Sequence, residues 1–156
     1  MGGGCPERLV RESRRLSVWG QGAVIFVDSG AFIARVVVRD QHHQAAMRLW
    51  TRIQQSDVRC ITTNVVLSES LTLIARATTY EFAATQAREL YASRALEIER
   101  PDFRDEVEAI NLFSKYSDQR VSFADCLSFA VMKRRSVRDV LGFDSDFELA
   151  GFRLLR

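Results

Sequence analysis

Ala23-Val24-Ile25-Phe26-Val27-Asp28 is the stretch on which the fold turns. Five consecutive apolar residues, three of them β-branched, have no polar face to offer solvent. Such a run reads as a strand buried on both sides, as strands of parallel sheets are. A carboxylate ends it. Outward from there, Ser29 to Val37 reads as a helix. Gln41 to Gln54 is a clearer one, with Ala45, Ala46, Leu49, Trp50 and Ile53 recurring at spacings of three to four. Val58 to Thr62 is a second strand, and Thr63-Asn64 supplies the cap of a helix reaching about Ala77. Thr79 opens a helix to Ser93, and Leu96 to Glu99 is a third strand. Pro101 begins a helix through Lys115, proline being at home in a first turn. Ser122 caps a helix from Phe123 to Arg135. Val137 to Phe143 and Phe152 to Leu155 complete the strands. Strands alternating with helices, without an internal repeat or linker, predict an α/β fold. Its central, mainly parallel sheet has about five strands flanked by helices.

Composition narrows the function. The chain has 156 residues and 47% hydrophobic content, enough for one domain with its own core. Residues 1–22 carry Arg8, Arg11, Arg14 and Arg15 against Glu7 and Glu12, and read as a flexible tail ahead of a globular unit at 23–156. That unit holds 18 basic and 18 acidic residues, so its net charge is zero. Nucleic-acid binding would therefore need a local patch or a bound metal. Arg outnumbers Lys twenty to two, which suits phosphate contact but equally reflects genomic composition. Three Cys with no C-x-x-C spacing indicate neither a disulfide framework nor a zinc site, and point to the reducing cytoplasm. No run approaches the ~18 apolar residues of a membrane span.

Four carboxylates stand where strands end or helices begin: Asp28, Glu69, Asp125 and Asp144. In a parallel sheet, ligands sit beyond the carboxyl ends of the strands. Asp28 closes the first strand and Asp144 the fourth, while Glu69 lies in the helix following the second. Topology alone does not locate Asp125. Three of the four have a local alternative. Asp28 can cap a helix, Ser122-Phe-Ala-Asp125 has the spacing of a capping box, and Asp144 can be an Asx-turn residue. Glu69 has none, because its helical neighbours Val65, Val66, Thr72 and Leu73 are not basic. It borders the apolar stripe, where an unpaired carboxylate is costly. Two like charges ~4 Å apart repel by about 4 kcal/mol at an effective dielectric near 20. Converging carboxylates thus call for a counter-charge, and oxygen ligands without His or Cys select Mg²⁺ or Mn²⁺.

These residues resemble the PIN-domain family, and within it the VapC-type toxin ribonucleases. The resemblance spans about 23–156. It rests on Val24-Ile-Phe-Val-Asp28-Ser-Gly-Ala-Phe32, Thr62-Thr-Asn-Val-Val-Leu-Ser-Glu69, Val121-Ser-Phe-Ala-Asp125-Cys-Leu-Ser-Phe-Ala130 and Val140-Leu-Gly-Phe-Asp144-Ser-Asp146-Phe147. It implies a three-layer sandwich and a metal-dependent endoribonuclease with Asp28, Glu69, Asp125 and Asp144 at one catalytic site. Asp28 and Asp125 are the first metal ligands it suggests, with Asp146 and Ser29 in support. It also implies an RNA substrate, a small antitoxin partner that masks the acids, and a homodimer, for which the helical surface 79–93 is a candidate. Gly142 departs from the family pattern, where a small hydroxyl residue usually stands two before the last Asp.

Other readings fit less well. A haloacid-dehalogenase phosphatase needs Asp-x-Asp, and position 30 is Gly; a receiver domain needs a strand-closing Lys, and none is present. An inactive binding module of the same family, or a processing nuclease without an antitoxin, remains an alternative. His42-His43 are expected far from the acidic edge, and Lys133, Arg134, Arg135 and Arg138 are expected at a solvated helix end.

Overall fold

The computed structural model describes Trp19 and residues 22–156. Five parallel strands form one sheet: β1 (Val24–Val27), β2 (Arg59–Thr63), β3 (Leu96–Glu99), β4 (Asp139–Leu141) and β5 (Arg153–Leu154), in the order β3-β2-β1-β4-β5. Helices connect them: α1 (Ser29–Val36), α2 (His43–Gln54), α3 (Asn64–Ala77), α4 (Tyr80–Ala92), α5 (Phe103–Lys115), α6 (Phe123–Arg134) and the single-turn α7 (Asp146–Leu149). The expected α/β sandwich is present.

β1 lies at the centre, with Ile25, Phe26 and Val27 fully buried. Its register pairs Phe26 with Ile61 on one side and Val140 on the other. From β1 the chain turns towards β2, and from β4 towards β5. The β1/β4 boundary is therefore the point where connections diverge, leaving a crevice at the strands' carboxyl ends. Phe26, Phe129, Phe147 and Phe152 meet beneath it at tilted and edge-to-face angles.

Four local expectations change. The cap of α3 is Thr63, whose hydroxyl accepts the Val66 N–H, so Asn64 stands inside the first turn. Pro101 precedes α5 rather than starting it. Asp102 is the cap, and Asp102 and Asp105 form a reciprocal capping box that the sequence reading overlooked. The fourth strand is three residues long: it starts only at Asp139, and Gly142 and Phe143 have already left the sheet. Helix α7 went unpredicted, one turn being too short for periodicity to show. The expected tail at 1–22 lies almost wholly outside the described residues, but Trp19 within it is buried against the core.

α5 and α6 run antiparallel. Phe123 at the start of α6 meets Phe113 near the end of α5, and Arg134 at the end of α6 bonds Asp105 at the start of α5. The expected basic cluster is at the surface, with Lys133, Arg134 and Arg138 exposed, but three of its four members are also ion-paired. Lys133 pairs with Glu108, Arg134 with Asp105 and Glu99, and Arg135 with Glu97 and Glu99.

Candidate active site

Asp28 follows β1 directly, and its backbone N–H donates to the Leu141 carbonyl of β4 at 3.0 Å, which fixes it at the crevice. Its carboxylate caps α1, accepting the Gly30 N–H at 3.4 Å. The residue is only 6% exposed. Its pKa is raised to about 7, first by burial. The Ser29 and Gly30 N–H groups oppose the rise, and the charges of Asp125 and Glu69 add to it. Gly142 permits this packing: a Cβ there would fall 3.0 Å from the Asp28 Cβ and 3.5 Å from its Oδ2. The absent hydroxyl side chain is thus replaced by close approach of backbone to carboxylate.

Asp125 reaches the same place through the α5–α6 hairpin. The Ser122 hydroxyl accepts the Asp125 N–H at 3.0 Å and donates to its Oδ2 at 2.5 Å. Half of the expected capping box exists; the return bond goes to the hydroxyl and not to the backbone. Burial raises the Asp125 pKa despite that hydrogen bond, and Asp144, Glu69 and Asp146 raise it further. Asp144 does make its Asx bond, accepting the Asp146 N–H at 2.9 Å. One carboxylate oxygen from each of Asp125, Asp144 and Asp146 lies within 4.8 Å of the others. Burial, then Asp144, raises the Asp146 pKa as well. The local alternatives and the shared site are therefore both real: the caps and turns aim the carboxylates at one another.

Two expectations about placement change. Glu69 is exposed on α3, so its lack of a partner costs little desolvation, and the burial argument for it does not hold. Its charge is nevertheless felt by both Asp28 and Asp125. His42, expected far away, stacks on Phe143, the residue before Asp144. Asn64, expected to serve only as a cap, lines a groove with Glu69, and its Oδ1 is buried without a hydrogen-bond donor among the described residues.

The decisive contrast lies among the acids themselves. Three carboxylates are buried in the described residues: Asp28, Asp105 and Asp139. Asp105 is held by Arg134 through both oxygens, and Asp139 by Arg153 at 2.7 Å through both. Asp28, Glu69, Asp125, Asp144 and Asp146 have no cationic partner among the described residues. Of the three buried carboxylates only Asp28 lacks an arginine, and the charges of Asp125 and Glu69 fall on it rather than that of a cation. Hard oxygen donors crowded beyond their own tolerance, beside an orphaned amide oxygen, fit a divalent cation such as Mg²⁺ or Mn²⁺.

A parallel sheet with an acid-lined crevice at its switch point defines a class that comparison bears out. The PIN domain model matches residues 25–153, and the chain belongs to the PIN-domain family. Within it, kinship lies with the VapC-type toxins. The chain is 32% identical over 129 residues to the 23S rRNA-specific endonuclease VapC20 of Mycobacterium tuberculosis, in strains CDC 1551 and H37Rv. The match covers 83% of this chain and 95% of that protein. The crystal structure of M. tuberculosis VapC20, described as a sarcin-ricin loop cleaving toxin, superposes with a TM-score of 0.76 at 31% identity. It covers 83% of this chain and 96% of the other.

Proposed function

We propose that this chain is a metal-dependent endoribonuclease and the toxin of a toxin–antitoxin pair. The observation that carries the reading is the crowding of mutually repelling carboxylates, with Asp28 buried among them, at the sheet edge where ligands bind. Asp125 is common to the pair expected from sequence, Asp28 and Asp125, and to the cluster of Asp125, Asp144 and Asp146. The reading makes Asp125 the central ligand, with Asp28, Asp144 and Asp146 around it. A bound Mg²⁺ or Mn²⁺ supplies positive charge against the phosphate and makes a neighbouring water more acidic. The protein does the rest. Backbone N–H groups of Ser29 and Gly30 hold the Asp28 carboxylate, and the Ser29 hydroxyl carries no assigned role. Ser122 holds Asp125. The exposed carboxylate of Glu69 is given the role of accepting a proton from the attacking water.

The similarity to VapC20 makes 23S ribosomal RNA, and its sarcin–ricin loop in particular, the first substrate to assay. The same unpaired acids suit a small antitoxin that masks them by inserting an arginine. A homodimer remains proposed, with α4 as the face, since it exposes Tyr80, Phe82 and Tyr91. No helix among the described residues is long and apolar enough to cross a membrane. The free, buried Cys60 and Cys126 suit a cytoplasmic protein.

The test is cleavage of an rRNA fragment by the purified protein with Mn²⁺ and with a chelator. Asp125→Asn is expected to lose cleavage while keeping a cooperative melting transition. Full activity in that variant would refute the reading.

A further inference from the structure

A cleft of about 610 Å³ opens beside the acidic edge, lined by His42, Arg48, Arg52, Phe143, Leu155 and Arg156 among others. It shares a wall with the site already described. Gly142 and Phe143 line it, Gly142 packs against Asp28, and Asp144, the next residue, belongs to the acid cluster.

Its aromatic surface is flat. The His42 imidazole lies on the Phe143 ring with centroids 4.3 Å apart and planes 3° from parallel. His42 occupies the capping position of α2, but its ring makes no cap bond. The backbone turn is held instead by the Asp40 carboxylate, which accepts the His42 N–H at 2.7 Å. The cationic rim is graded. Arg156 is paired with Glu148, and Arg52 lies over the Trp19 ring and donates to the Arg156 carbonyl. Arg48 is exposed and has no ion pair or hydrogen bond among the described residues.

The globular unit has no net positive charge, and the crevice itself is acidic, so a polyanion needs an attractive surface close to it. A flat ring pair with a free guanidinium nearby is the combination that holds a single-stranded nucleotide, base by stacking and phosphate by charge. An acidic peptide would use the arginines but gain nothing from the rings. We propose that the cleft binds one RNA nucleotide flanking the scissile phosphate, its base against the His42–Phe143 pair and its phosphate at Arg48. The inference rests on the ribonuclease reading and adds the subsite that reading lacks.

The test is fluorescence anisotropy with a labelled single-stranded RNA on Asp125→Asn protein, so that binding is scored whether or not cleavage occurs. Adding His42→Ala is expected to weaken binding roughly tenfold, and His42→Phe to recover most of it. Adding Arg48→Ala is expected to weaken it and flatten the salt dependence by about 0.7. Unchanged affinity in His42→Ala and Arg48→Ala overturns the proposal, as does failure of His42→Phe to recover binding. So does the pattern in which both variants lose affinity for a hexaglutamate peptide but keep it for RNA. Failure of the ribonuclease reading would register separately, as absence of Mn²⁺-dependent cleavage by the unsubstituted protein.

Discussion

Asp28→Asn should make the metal-free protein more stable, and only at neutral to alkaline pH. The folded chain holds the Asp28 pKa at about 7, against 3.8 ordinarily. In the unfolded chain that proton leaves near pH 4; in the folded chain it stays until about pH 7. The ionised carboxylate therefore costs stability that is absent below pH 4, grows as pH rises, and is complete above pH 7. Three pKa units at 1.36 kcal/mol each give about 4 kcal/mol. Asparagine is neutral and caps as well as aspartate, but its amide brings donors without partners, at about 1–2 kcal/mol. The net gain at pH 8 is about 2–3 kcal/mol, or roughly 6–9 °C in melting temperature for a chain of this size. At pH 4.5 the two variants should differ little, with Asn slightly the less stable. Thermal melts in chelator at the two pH values measure this directly. With Mn²⁺ the difference should shrink or reverse, because the ion binds the native site more tightly than one that has lost the Asp28 carboxylate. A pH-independent difference, or an Asn variant less stable at pH 8, would mean that Asp28 is an ordinary helix cap without strain.

Asp144→Asn and Asp146→Asn should each weaken Mn²⁺ binding roughly tenfold or more by calorimetry, since each removes an anionic ligand from the cluster. Gly142→Ala should cost about 1 kcal/mol or more in urea unfolding and lower activity, its Cβ pressing on Asp28 at 3.0 Å. Arg134→Ala should destabilise by about 2 kcal/mol at neutral pH. It leaves Asp105 unpaired at 3% exposure, though Arg134 is itself 38% exposed and its charge partly screened. Burial pushes the Asp105 pKa up, but the hydrogen bonds from Arg134 and from the Asp102 N–H, with the Arg134 charge, outweigh it and hold it below the usual range. That stabilisation is present above the ordinary carboxylate pKa and lost as pH falls, so the two proteins should converge in acid.

The β1 run announced a buried parallel strand because nothing in Val24–Val27 could face water, and the other strands followed from alternation with amphipathic helices. The order of the strands was not so legible. It depends on long-range register, such as Asp139 of β4 paired with Arg153 of β5. The site was legible through residue type and position for Asp28, which closes β1, and for Asp144, which follows the end of β4 by three residues. Asp125 was not, because an antiparallel hairpin and not a strand end carries it to the crevice. Glu69 was singled out for burial that it does not have. His42 escaped because a loop folded its ring onto Phe143, a contact between residues 101 positions apart that no helical period encodes. Asn64 was read as a cap because Thr63 and Asn64 are both good ones, and only the structure gives the task to Thr63.

The ion pair between Arg134 and Asp105 makes α6 a lever. Its two ends do different work: Arg134 is latched to α5, and nine residues earlier Asp125 stands in the acid cluster. At 1.5 Å per residue the arm is about 13 Å long. A tilt of roughly 4° at the latch would move Asp125 by about 1 Å, and a misplacement of that size can cost about a hundredfold in rate. The acids at the latch, Asp105 and Glu99, are already paired with Arg134. Substitutions there would shift Asp125 by graded amounts without changing any residue of the acid cluster.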